Sequence, residues 1–223
     1  MKKNKIIKRL CFDAVFAAIA SVLYFFKFSL PIFPSFLEIN FSMIAIIIAT
    51  FMLSPWDGIL VILIRFVIKI LIMGTSTAYV GELADIIIAL FATIPSGLLY
   101  KYAPNFKGKT LISFLLCIIG WILGGVLSNQ FINIPFYMKA WDLSYETLAN
   151  MIKEPVSLIS FRNIKTSDVT ADSFMFYYQI FAVIPFNLLL SSIVVIITSL
   201  VHNKLKALYN MIGSSKEKEE DTL

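Results

Sequence analysis

Long, nearly unbroken apolar runs alternate with short polar breaks along this chain: Met43–Leu53, Ile59–Ile64, Ile86–Ile94 and Leu188–Val201. Hydrocarbon offers no water to backbone N–H and C=O groups, so a chain embedded in it forms helices or a closed barrel. Barrel strands alternate apolar and polar residues over about ten positions. The runs here do not alternate, which predicts an all-α membrane protein. The spans are expected at about 9–27, 40–53, 57–73, 82–100, 110–132 and 176–201. They form a single six-helix domain over 1–213, with an extracellular connection of about 136–175 and a disordered cytoplasmic tail over 214–223. Ser54-Pro55-Trp56-Asp57-Gly58 is the turn that parts the second span from the third. Several spans are at or below the roughly 20 residues that cross a bilayer. Short or broken membrane helices are often packed around a binding site.

The start resembles a signal peptide: a basic stretch to Arg9, an apolar run, and Ala18-Ile19-Ala20. Apolar sequence continues past it and further spans follow, so it reads as a retained first helix. Lys and Arg set the orientation. Lys2, Lys3, Lys5, Lys8 and Arg9 share one side with Lys101, Lys107 and Lys109 and with Lys204, Lys206, Lys216 and Lys218. The other side has only Lys27, Lys139, Lys153, Arg162 and Lys165. Both termini are therefore expected inside. The connection 136–175 reads equally well as a lid or as a solvated connector.

Composition agrees: 59% of residues are hydrophobic, against about 45–50% in soluble domains, and the mean hydropathy is +0.84. The net charge of +5 is a topology signal beside anionic lipid. No basic segment carries the interleaved aromatics of a nucleic-acid binder, so no nucleic-acid partner is expected. Cys11 and Cys117 have no CxxC partner and point to no metal. Ala103-Pro104-Asn105-Phe106-Lys107-Gly108-Lys109-Thr110 matches a relaxed phosphate-loop pattern. It lies between two membrane helices with no strand before it, so it reads as a chance match. One histidine, His202, and no HExxH or GxSxG leave little for catalysis.

Charges inside apolar runs carry more information. Arg65 and Lys69 share one face of the third helix, and Glu82 and Asp85 share a face at the start of the fourth. A charge costs about 2.5–3.5 kcal/mol at a helix centre, so both pairs must face protein or a polar cavity. Ion pairing between helices and a polar pocket wall both fit and are compatible, and a third reading takes Glu82 and Asp85 as proton or cation sites of an ion-coupled transporter. Ala14 and Ala18, extended by Ala17, and Gly120 with Gly124 give small-xxx-small spacings that admit a close helix. Asn129, Gln130 and Asn133 precede Pro135 and Tyr137, and Asn187 follows Pro185-Phe186. Amides beside aromatics suit a flat, hydrogen-bonding heterocycle, and helix–helix hydrogen bonds account for them equally well. No internal repeat is read. An integral-membrane enzyme acting on lipids or peptides stays open as another class.

Several segments in this order resemble the substrate-binding (S) components of energy-coupling-factor (ECF) vitamin transporters, most closely the riboflavin-specific ones. They are Phe33-Pro34-Ser35-Phe36-Leu37-Glu38-Ile39-Asn40-Phe41-Ser42, Ser54-Pro55-Trp56-Asp57-Gly58-Ile59 and Thr75-Ser76-Thr77-Ala78-Tyr79-Val80-Gly81-Glu82-Leu83-Ala84-Asp85. Ser128-Asn129-Gln130-Phe131 with Pro135-Phe136-Tyr137, and Ile184-Pro185-Phe186-Asn187-Leu188, complete the set. The resemblance implies a multi-pass bacterial plasma-membrane protein that binds a vitamin, riboflavin or a related flavin, near the outer face. It implies a ligand site of Asn129, Asn187, Tyr137, Phe186, Thr77, Gly81, Glu82 and Phe41, with no metal and no cofactor beyond the transported ligand. It also implies a membrane coupling subunit of the EcfT type, met by Ala14, Ala17 and Ala18, and two cytoplasmic ATPases that supply the energy. The chain departs from the riboflavin pattern at four positions. Asn40 and Met43 stand where aspartates are typical, Asp85 replaces an asparagine, and Leu190 stands where a lysine often follows Pro-Phe-Asn.

Overall fold

The computed structural model describes residues 2–75, 77–160 and 163–220. Helix α1 (Lys2–Phe25) leads into a short antiparallel hairpin, β1 (Phe28–Ser29) with β2 (Glu38–Ile39), in the register Phe28↔Ile39 and Ser29↔Glu38. Then follow α2 (Ser42–Met52), α3 (Pro55–Met73), α4 (Val80–Tyr102) and α5 (Lys109–Ser128). A π turn (Asn129–Asn133) joins α5 to α6 (Ile134–Ala140). Beyond α7 (Tyr145–Ile159), α8 (Phe174–Tyr178) passes through a second π turn (Gln179–Val183) into α9 (Ile184–Glu220).

Local chemistry sets these boundaries. Pro55 opens α3 at a position that needs no N–H, and Ser54 caps it by accepting from the Asp57 N–H. α2 is about 16 Å long at 1.5 Å per residue, roughly half the hydrocarbon thickness. It is apolar all round because α1, α3, α4 and α9 pack about it. α4 and α5 form the most extensive helix pair. Gly120 and Gly124 make it possible: an added Cβ would lie 2.0 Å from Phe91 O at the first and 2.9 Å from Ile88 Cα at the second. That small-residue spacing is therefore used within the chain.

Val80–Tyr102, Lys109–Ala140 and Phe174–His202 are long and apolar enough to cross a membrane. The fifth helical rod does not stop near 132. Pro135 lacks an N–H, and the π turn widens so that the Ile134 N–H reaches Asn129 O. The proline then occupies the first turn of α6, where its missing donor costs nothing. The same device recurs at Ile184-Pro185-Phe186, where the Ile184 N–H bonds to Gln179 O. Thus Ile-Pro-Phe follows a π turn twice, a local recurrence that the sequence reading did not find.

The connection 136–175 is largely helical. Ser144 caps α7 by accepting from the Thr147 N–H at 3.1 Å, and Leu148, Ala149, Ile152, Pro155 and Val156 bury its inner face. Backbone is helical to Glu220 where a disordered tail is expected from 214. Residues 221–223, together with Ser76 and Arg162, which is expected on the outer side, lie outside the described residues.

Candidate functional site

A cavity of about 470 Å³ lies at the end of the bundle where α1 finishes and α4 begins. The hairpin, α3, α4, the α5–α6 bend and α9 supply its walls. Seven of the eight residues expected from sequence line it: Asn129, Asn187, Tyr137, Phe186, Thr77, Gly81 and Glu82. Phe41 does not. It is half-buried and packs against the apolar core at the N-cap of α2, a place the alternation of that segment did not reveal. The four departures from the riboflavin pattern, Asn40, Met43, Asp85 and Leu190, all line the same cavity.

One wall is ionic. Lys69 and Glu82, 7% and 6% exposed, form an ion pair between α3 and α4. Lys69 Nζ also donates to Gly74 O at 2.7 Å. Glu82 Oε2 accepts from Thr75 Oγ1 at 3.1 Å and from Thr77 Oγ1 at 3.0 Å. Arg65 donates to Ser42 Oγ at 2.6 Å, lies 4.9 Å from the centre of the Tyr24 ring, and has Nη2 3.5 Å from Asp85 Oδ2. Ion pairing and a pocket wall, two readings of these charges, are thus one arrangement. Among the described residues no group of three or more His, Cys, Asp or Glu side chains is placed to hold a metal.

The loop into α4 is strained. Ala78 and Tyr79 hold φ of 47° and 70°, a region sparsely used by residues with a Cβ. Two threonines hold it there. Thr75 Oγ1 accepts from the N–H groups of Thr77 and Tyr79 at 3.2 and 3.0 Å, and Thr77 Oγ1 accepts from the Gly81 N–H at 3.1 Å. Since both hydroxyls also donate to Glu82, the carboxylate fixes the loop as well as the ion pair.

The opposite wall is amide and aromatic. Asn129 Nδ2 donates to Gly125 O at 2.9 Å, and Asn187 Nδ2 donates to Val183 O at 2.8 Å. Each amide is thus oriented by the carbonyl one turn back in its own helical rod. Asn129 Oδ1 accepts from Tyr178 at 2.6 Å and from Asn133 Nδ2 at 3.3 Å. Gly125 leaves room for Asn187, because a Cβ there would lie 2.6 Å from Asn187 Nδ2. Tyr137 stacks on Trp141 with centroids 4.4 Å apart and planes at 7°, and Phe36 of the hairpin tilts against it at 5.6 Å. Met151 of α7 and Leu143 just before that helix close part of the rim.

Sequence reasoning placed Asn133 in the amide cluster that suits a ligand but not in the expected site, and it missed Tyr24, Trp121 and Trp141 as lining residues. Asn133 had a signal, four residues after Asn129 and four before Tyr137; Tyr24 and Trp121 sit in apolar runs with none. On α1, Ala14 and Ala18 are exposed, whereas Ala17 is 1% exposed within the core, so it does not share their outward face. The beta carbon that would meet a partner there points instead into the chain's own packing.

At the other end of the molecule, Asp57, unexplained by sequence, receives a two-pronged contact from Arg9 at 2.6 Å to each oxygen. The 103–108 segment links α4 directly to α5 with no strand before it, so the phosphate-loop match has no phosphate-loop fold.

The molecule is therefore a helical membrane bundle with a polar and aromatic cavity at one end. It belongs to the family of ECF transporter substrate-specific components, whose family model matches residues 8–202. Among curated proteins it is 27% identical over 201 residues to "Riboflavin transporter FmnP" of Bacillus subtilis (strain 168), covering 90% of this chain and 93% of that protein. It is 29% identical over 168 residues to "Riboflavin transporter RibU" of Staphylococcus aureus (strain TCH60), covering 74% and 84%. A solved structure described as "Structure and mechanism of the S component of a bacterial ECF transporter" shares the fold, with a TM-score of 0.61 and 22% identity over 91% of this chain and 97% of that one.

Proposed function

We propose that this chain is the riboflavin-binding subunit of an ATP-driven ECF importer in the bacterial plasma membrane. It crosses the bilayer six times with both termini in the cytoplasm, as the distribution of Lys and Arg favours. The cavity then faces outward, since it lies at the end of the bundle remote from Arg9. Riboflavin, or a close flavin, enters it, with its ring among Tyr137, Phe36 and Phe186 and with Asn129 and Asn187 facing its polar edge. The Thr77–Glu82 segment lines the side and α7 covers the rim. A membrane coupling subunit of the EcfT type meets the outward face of α1 at Ala14 and Ala18. Two cytoplasmic ATPases hydrolyse ATP, and this chain carries the vitamin rather than any bond-breaking step.

The carrying observation is one cavity that gathers side chains from the hairpin, α3, α4, the α5–α6 bend and α9, with aromatic faces and fixed amides among them. Relatives that bear the name riboflavin transporter support the choice of vitamin. The test is a titration of the purified chain with riboflavin, read by quenching of flavin fluorescence. Saturable quenching at one flavin per chain is expected. No quenching, with a different vitamin identified by mass spectrometry of the purified protein, replaces the substrate and leaves the class intact.

A further inference from the structure

Most buried polar atoms on the cavity wall have partners within the chain. Glu82 accepts from Lys69, Thr75 and Thr77. Asn129 Oδ1 accepts from Tyr178 and Asn133, and Asn40 Oδ1 accepts from Ser42 at 2.7 Å. Two acceptors differ. Among the described residues Asp85 Oδ2 is buried and takes no hydrogen bond, although Arg65 Nη2 stands 3.5 Å away. Asn133 Oδ1 is buried and takes none from a described residue, although its own amide N–H donates to Asn129. Both residues line the cavity. Buried polar groups are rarely left without a partner, and an exception calls for an explanation.

We infer that Asp85 and Asn133 are specificity-determining residues that read hydrogen-bond donors of the ligand: Asn133 Oδ1 accepts from a ring imide N–H, and the Asp85 carboxylate accepts from a hydroxyl of the attached chain. This rests on the flavin reading above and deepens it. Asn133 lies one turn before Tyr137, whose ring meets Trp141 and Phe36. A flat ligand among those rings presents an edge to the bend between α5 and α6. Asp85 belongs to the ionic wall with Arg65, near Tyr24, where a polyhydroxyl chain finds charge-assisted partners. Both sites are acceptors, so a carbonyl placed at either would meet like polarity. A site built to hydrogen-bond a donor rejects analogues that lack it.

The full chain in lipid nanodiscs is titrated with riboflavin, with N3-methylriboflavin, which lacks the imide N–H, and with lumiflavin, which lacks the hydroxyl chain. Each is measured on wild type and on Asn133→Leu, Asp85→Asn and Asp85→Ala. Wild type is expected to bind each analogue about ten- to a hundredfold more weakly than riboflavin. Asn133→Leu is expected to bind riboflavin and N3-methylriboflavin alike while still rejecting lumiflavin. The Asp85 variants are expected to narrow the lumiflavin gap and keep the N3-methyl gap. Uniform weakening of all three flavins marks a structural role and overturns the assignment. So does wild-type binding of N3-methylriboflavin as tight as that of riboflavin, a result that needs no variant to fold. A chain that binds riboflavin without discriminating overturns this inference alone, whereas a chain that binds no flavin overturns the flavin reading and this inference with it.

Discussion

The two ends of this bundle use the same kinds of residue to opposite effect. At the end that holds Arg9, aromatic rings from four helices meet one another. Phe51 of α2 stacks on Tyr100 of α4 at 4.6 Å and 4°, Phe114 of α5 lies 5.0 Å from Phe51, and His202 of α9 stands edge-on to all three. Nearby, the Arg9–Asp57 pair is tied to Ser54. At the cavity end the ion pairs Arg65–Asp85 and Lys69–Glu82 and the rings of Phe36, Tyr137 and Trp141 stand around a space instead. The backbone accounts for the difference. Where α2 and α5 run without a π turn and α4 stays helical through Pro95, their faces close on each other. At the cavity end, two π turns shift the face that the following residues present, and such turns frequently mark functional sites.

The sharpest way to break this comparison is Lys69→Met. It leaves Glu82 buried without its counter-charge, and breaking a buried pair costs about 3–5 kcal/mol. Because Glu82 also anchors Thr75 and Thr77, the loop into α4 is expected to loosen and riboflavin affinity to fall more than about a hundredfold. Adding Glu82→Gln to Lys69→Met removes the stranded charge and is expected to restore much of the melting temperature. Wild-type affinity in the single variant would show that the ionic wall has no part in the site.

Gly125→Ala is the next test. Its Cβ would stand 2.6 Å from Asn187 Nδ2 and 2.9 Å from Asn187 Cγ, so the amide must turn and give up its bond to Val183 O. One misplaced amide is worth about 1–3 kcal/mol, or about five- to a hundred-and-fiftyfold in affinity. Titration and thermal melting separate the effects: affinity is expected to drop with a smaller loss of stability. An unchanged affinity would mean that Asn187 does not face the ligand.

Much of this arrangement was legible in the chain because membranes simplify the code. Arg65, Lys69, Glu82 and Asp85 stand out against hydrocarbon, and their helical spacing gave the faces that later meet. Asn129 and Asn187 stood out for the same reason. The course of the chain through Pro135 was not legible. A proline after an amide cluster reads as a helix end, and only the widened hydrogen bonding of Asn129–Asn133 carries the rod on to Ala140. Tyr24 and Trp121 were hidden because an aromatic residue in an apolar run looks the same whether it faces lipid or a cavity. Ala17 shows the limit of spacing alone: it neighbours Ala14 and Ala18 in sequence but faces the core, and only the rotation of α1 within the bundle decides which alanines remain outside.

The smallest expected effect lies at the closed end and serves to sharpen the contrast. Tyr100→Phe keeps the ring stacked on Phe51 and removes only the hydroxyl that lies 2.9 Å from His202 Nε2. A single hydrogen bond of this kind is worth about 1 kcal/mol net. Because His202 is 1% exposed, its ring cannot readily take water in place of the lost hydroxyl, so the cost falls on stability. A modest fall in melting temperature is therefore expected, with riboflavin affinity unchanged within about twofold. The cavity shares none of these four rings, and that separation gives the variant its force. If Tyr100→Phe weakens flavin binding as much as Gly125→Ala does, the ends are coupled through the helices, and the closed cluster belongs to the binding machinery rather than to the scaffold.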